Sequence, residues 1–274
     1  MKLYDFDGMF DEKLKNYIAK NPDKYSESGW ENVIPEMYKR FGDTKIKSLD
    51  KTPREFYAEM TADELVKCLK AHLKQGVPVS QFLCDAIETA DVTEKLLPLL
   101  NGTGDEREYA MGLIGADDRA LKIYMELLTT CGDDETEDRC VELLKEKADK
   151  VLPEAVKNYK NGVKRGCMLE IMSRSVVRND EVFDILLKEF RTEPENLALN
   201  AGYLATYGDE RALPALLDKI DEEGITYPEY RELKFAVEAL GGEYETERDF
   251  SSDPYFELIN SHNGAENIFK YLKK

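Results

Sequence analysis

The chain has 274 residues, 42% hydrophobic and 34% charged, so it can bury a core and is too apolar for wholesale disorder. Its 38 Lys and Arg against 56 Asp and Glu leave a formal charge of −18, which argues against a DNA or RNA binder because phosphate binding needs a cationic stripe. Two histidines, His72 and His262, exclude most His-rich metal chemistry, and five cysteines without a C-x-x-C pair read as free thiols.

The opening MKLYDFDGMF lacks the apolar core of a signal peptide, and Tyr271-Leu272-Lys273-Lys274 is no lipidation motif. No run approaches the roughly 18 apolar residues of a membrane span. The expected setting is cytoplasmic, with no membrane partner.

Residues 1–60 lack the period found later. Phe10, Leu14, Tyr17 and Ile18 predict a helix opening near Asp7 and ending at Asn21-Pro22. Trp30, Val33, Ile34, Met37, Tyr38 and Phe41 predict a second, with Ser28 and Glu31 spaced as a capping box and Pro35 as a kink or a start. Residues 42–52 read as a loop. Asp5-Phe6-Asp7-Gly8 looks like the opening of haloacid-dehalogenase phosphatases, whose first aspartate is the nucleophile. Here only Leu3 and Tyr4 precede it as apolar residues, Met9 stands where threonine belongs, and no doubly wound pattern follows. As an EF-hand loop the same residues would put Leu3 and Leu14 at ligand positions. An acidic helix start is the reading that remains.

From residue 61 onward a pattern recurs. Val92, Ala120, Val151, Val182 and Ala212 open helical stretches at spacings of 28, 31, 31 and 30 residues. Four residues on stand Leu96, Tyr124, Ala155, Leu186 and Leu216. Five on stand Leu97, Met125, Val156, Leu187 and Leu217, and eight on Leu100, Leu128, Tyr159, Phe190 and Ile220. These offsets share one face of a 3.6-residue period. Asp91, Asp118, Asp149, Asp180 and Asp209 are expected to cap the helices, and Pro153 and Pro214 to sit in first turns. A second helix in each unit centres on a small residue, Cys84, Ala110, Cys140, Cys167, Ala201 or Ala236, so that two helices approach closely. Units of about 30 residues, repeated about six times, bury these faces by stacking.

The run NAGYLATYGDERALPALL at 200–217 resembles the HEAT-like repeat of phycobilisome-lyase-type proteins, and 107–128 is similar through Ala110, Leu113, Gly115, Asp117, Ala120 and Leu128. The resemblance implies an all-α, right-handed α-solenoid over about residues 61–242. It carries over no catalytic residue, cofactor or metal. Residues 1–60 and 243–274 are then helical caps on one continuous domain. The latter segment has a helix start at Asp253-Pro254 and two apolar sets, Tyr255, Phe256, Ile259 and Ile268, Phe269, Leu272, split by Asn263-Gly264.

Other motifs read as structure. Asp133-Asp134-Glu135-Thr136-Glu137-Asp138 is an acidic helix start and Gly102-Thr103-Gly104 a turn. His72 has no second ligand one turn on, and the paired His-Glu motifs of di-iron hydroxylases built on such repeats are missing. The expected function is a non-enzymatic scaffold or adaptor that binds a protein or peptide on its concave face, with a basic partner favoured by the charge. The second helices would line that face, presenting Tyr109, Arg139, Glu142, Glu170, Asn200, Tyr203 and Tyr207, beside Glu146 and Glu238. The alternatives are a small-molecule-binding or lyase-like enzyme-associated subunit and an acidic inhibitor or immunity-type protein against a basic partner.

Overall fold

A computed structural model describes residues 2–260. They form sixteen α-helices and four short 3-10 turns with no strand, and the all-α class expected from the sequence is the class observed. Among the described residues no helix is long and apolar enough to cross a membrane. The break at Asn263-Gly264, the apolar set Ile268, Phe269 and Leu272, and His262 lie outside the described residues. The chain divides into two compact units, Met1–Ile123 and Tyr124–Lys274, a division that falls inside the stretch 61–242.

The first unit opens with α1 (Phe6–Lys20) and α2 (Glu27–Phe41). Asp5 caps α1 by accepting from the Gly8 N–H at 2.7 Å, and a Cβ on Gly8 would lie 2.4 Å from its carboxylate. The Asp-Phe-Asp-Gly string is therefore a helix start. The cap of α2 is Ser26, accepting from Gly29, rather than Ser28. Pro35 is accommodated inside α2 because it and Glu31, whose carbonyl loses its helical donor, both face solvent. Short α3 (Pro53–Ala58) is followed by α4 (Ala62–Gln75), α5 (Gln81–Thr89), α6 (Thr93–Leu96) and α7 (Gly104–Ile114). Helix α4 packs on α5, α6 and α7, and α5 also on α3 and α7. Aromatic rings fill the space beneath α1 and α2: Tyr38 stacks on Phe82 at 4.7 Å and meets Phe10 edge-on at 5.0 Å. The Tyr38 hydroxyl donates to Asp7 at 2.5 Å.

Helix α8 (Leu121–Thr130) crosses the division. The second unit continues with α9 (Asp134–Lys145), α10 (Ala148–Lys160), α11 (Arg165–Ser173), α12 (Asp180–Thr192), α13 (Leu197–Tyr207), α14 (Leu213–Ile220), α15 (Tyr227–Ala239) and α16 (Pro254–Asn260). Helices α9, α11, α13 and α15 are successive neighbours in one row; α10 packs on α9 and α11, α12 on α11 and α13, and α14 on α15. The small residues Cys140, Ala201 and Ala236 of the row are fully buried, and Cys167 is half-buried.

The five helix-opening anchors are all buried, as are the residues four and eight positions on. Five positions on, Met125 and Val156 are buried while Leu97, Leu187 and Leu217 are partly exposed. The expected aspartate caps are largely replaced. Asp209 does cap, but Asn179 caps α12 in place of Asp180, and Asp117 receives the Arg119 N–H in place of Asp118. Pro153 is the sixth residue of α10, not in its first turn, because the helix starts at Ala148, ahead of the Val151 anchor. Asp149 serves a different loop: its Oδ1 accepts from the Ser175 hydroxyl at 2.6 Å and from the Val176 and Val177 N–H groups at 3.0 and 3.2 Å. Two Asp-x-Arg-Ala strings act alike. Arg119 bridges Asp117 at 2.7 Å and Asp91, 28 residues back, at 3.2 Å; Arg211 bridges Asp209 at 2.7 Å and Asp180, 31 residues back, at 2.8 Å. Exposed pairs of this kind add little stability singly.

Candidate functional site

Six of the seven residues assigned to the binding face lie in the second unit, on α9, α11 and α13; Tyr109, half-buried on α7, belongs to the first. Arg139 is exposed on α9. Glu142 and Glu170 are tied together by Lys145, whose ammonium lies 2.6 Å from each carboxylate. Their charges thus already serve a link between α9 and α11.

Asn200 and Tyr207 are interior residues, 3% and 2% exposed, and neither can meet a partner from the surface. The amide of Asn200 donates to the Glu189 carbonyl at 3.3 Å. Glu189 is itself buried on the inner side of α12, where Tyr159 and Arg165 donate to its carboxylate. The Tyr207 hydroxyl accepts from the Asn179 N–H at 2.8 Å and donates to the Asn179 carbonyl at 3.1 Å, while Arg178 lies 5.1 Å over its ring. Both residues tie α13 to the segment before it. Their polar groups suggested a surface role, but they are spent inside, on the Glu189 carbonyl near the end of α12 and on the backbone of its cap, Asn179.

Tyr203 differs. It is half-buried, and burial pushes its hydroxyl up to about 12, with Glu170 and Cys167 adding to the shift. It lines a groove of about 400 Å3 together with Glu170, Gly202 and Leu199, with Glu232 of α15 and with Arg174, the residue just past the end of α11. Leu199 is 53% exposed, and Phe235, one turn along α15 from Glu232, is 61% exposed. Among the described residues neither Glu232 nor Arg174 has an ion-pair partner. Sequence reading missed Leu199, Gly202, Glu232 and Phe235. Two signals were present: a glycine in the middle of an apolar helix, and large apolar side chains at one and two residues before the buried Ala236 and Ala201.

No protein-family model, curated protein or solved structure matches the chain.

Other hollows are present, and one lined by Leu152, Pro153, Val156, Lys157 and Lys160 is larger, about 480 Å3. A hollow of about 300 Å3 in the first unit has Arg54 at its mouth, but Asp85 at 3.0 Å and Asp43 at 3.4 Å already neutralise that guanidinium. His72 is fully buried with Nδ1 2.8 Å from the Pro78 carbonyl. Among the described residues no cluster of three or more His, Cys, Asp or Glu has the arrangement of a metal site. Burial raises the Cys68 and Cys84 thiols to about 11, which makes them poor nucleophiles.

Proposed function

We propose that this chain is a cytoplasmic, non-enzymatic scaffold or adaptor, a HEAT-like right-handed solenoid of about six helix–turn–helix units with helical ends, that binds a protein or peptide. The observation that carries the reading is the groove on the row of α11, α13 and α15, where Leu199 stands exposed in the lining and Phe235 stands exposed one helical turn from Glu232. Exposed apolar groups concentrated beside a groove mark interaction surfaces more often than scattered ones do. The regular burial of the helix-opening anchors supports the repeat architecture. Of the residues first assigned to the face, Tyr203 and Glu170 line the groove and remain its members.

The test is affinity capture from the native host's lysate with wild type beside a Leu199→Ser, Phe235→Ser double variant, both checked by circular dichroism. A partner held by wild type and lost by the folded variant is the expected result. A partner held equally by both would move binding to another surface.

The charge favours a second reading, an acidic inhibitor of a basic protein. The unit Tyr124–Lys274 holds 33 acidic against 20 basic residues, a net charge of −13. Such a complex would form fast and weaken steeply with salt, whereas a neutral scaffold contact would not.

A further inference from the structure

Gly202 is the sixth of the eleven residues of α13, a position where glycine costs about 0.5–1 kcal/mol relative to alanine. Its backbone is ordinary helix, and a Cβ built there meets nothing within 4 Å. Neither a turn nor close packing demands it. It lines the groove together with Leu199 and Tyr203, and a side chain added there would enter open space. Glu232 stands exposed in the groove lining with no ion-pair partner among the described residues, in the unit that carries most of the negative charge. The groove volume of about 400 Å3 is the size of a ligand site.

We propose that this groove takes a cationic peptide segment, with an apolar side chain seated over Gly202 between Leu199 and Tyr203 and a neighbouring Lys or Arg against Glu232. This rests on the peptide-binding reading above and deepens it by naming the chemistry of the partner. Arg174, just past the end of α11, gives the groove a polarity, so an acidic group or a peptide carboxylate belongs at that end.

The test pans a phage-displayed random-peptide library on the full chain. The enriched peptide, synthesised with fluorescein, is then titrated by anisotropy against wild type, Gly202→Met and Glu232→Lys. Thermal melting checks each variant, and Gly202→Ala is a milder substitute should the methionine disturb folding. The expected peptides carry Lys or Arg next to Leu, Phe or Tyr. Each of Gly202→Met and Glu232→Lys should weaken binding at least ~10-fold, equivalent to 1.4 kcal/mol, and a peptide with its cation changed to Glu should regain affinity for Glu232→Lys. Selection of peptides without cationic residues would overturn the proposal, as would a wild-type dimer that Gly202→Met dissolves, which would make a second copy the occupant. Basic peptides that bind both variants like wild type would sink the groove assignment and leave peptide binding on another face. If no peptide is enriched, this inference fails, while a lysate partner held by wild type and lost by the Leu199→Ser, Phe235→Ser variant would leave the broader reading standing.

Discussion

Tyr207 shows how one hydroxyl can join two segments of a repeat-like chain. It satisfies both backbone groups of Asn179, which caps α12, from a distance of 28 residues in sequence. Tyr207→Phe keeps the ring and deletes both bonds. It should cost about 1–3 kcal/mol, read as a lower urea midpoint with an unchanged slope. Asp149 is a second such point. Hydrogen bonds from Ser175 and then from the Val177 and Val176 amides hold its carboxyl below the usual carboxylate range, and burial opposes them. A depressed carboxylate contributes stability above its unfolded value near ~4 and loses it as pH falls through the folded value. Asp149→Asn should therefore unfold more easily than wild type at pH 7, and the gap should close below about pH 4. Chemical denaturation across that range measures it; a gap independent of pH would contradict the assignment.

At the scale of the helix, capping decides where elements begin. Thr52, Thr61, Thr103 and Thr226 each precede a glutamate by three residues, and all four form reciprocal capping boxes. The spacing was readable in the sequence as plainly as the apolar repeat, yet the aspartates drew the assignment instead. Aspartate was a weak guide because its carboxylate also serves ion pairs and neighbouring loops, as Asp180 and Asp149 do. Two substitutions probe the helices of the groove. Gly202→Ala should raise stability by about 0.5–1 kcal/mol, measured by thermal or urea unfolding, since the new methyl meets open space. Ala236→Leu should do the opposite. Ala236 and Ala201 are fully buried on the closely packed pair α13 and α15, and added methylenes there cost about 1–3 kcal/mol.

At the scale of the whole molecule, the dominant property is charge. With −18 overall, like-charge repulsion opposes compaction, and salt screens it. The melting temperature should rise between about 10 and 150 mM salt; a fall would mean that the exposed ion pairs outweigh the repulsion. Heparin and single- or double-stranded nucleic acids should not retain the protein at physiological salt, because their binding is driven by cation–phosphate contacts. Retention would require a local cationic stripe strong enough to overcome the net charge.

The apolar period and the small residues of the second helices by themselves determined an all-helical chain and most of the side chains that face its core. Period and volume are local properties, and helix burial follows them directly: Ala120, Tyr124 and Leu128 are fully buried as their offsets require. Surface roles were less legible. Tyr203 and Tyr207 lie on the same helix four residues apart with the same side chain, yet one lines a groove and the other is sealed against Asn179. What separates them is the neighbour each meets, and only the packing of α13 against the chain before and after it decides that. The same holds for Glu142 and Glu170, whose charges Lys145 takes up across two helices, and for Gly202, whose vacancy becomes a groove only once α11 and α15 stand on either side. Periodicity assigns a residue to a face of its own helix; whether that face meets solvent, a cap or an opposite charge is set by residues tens of positions away.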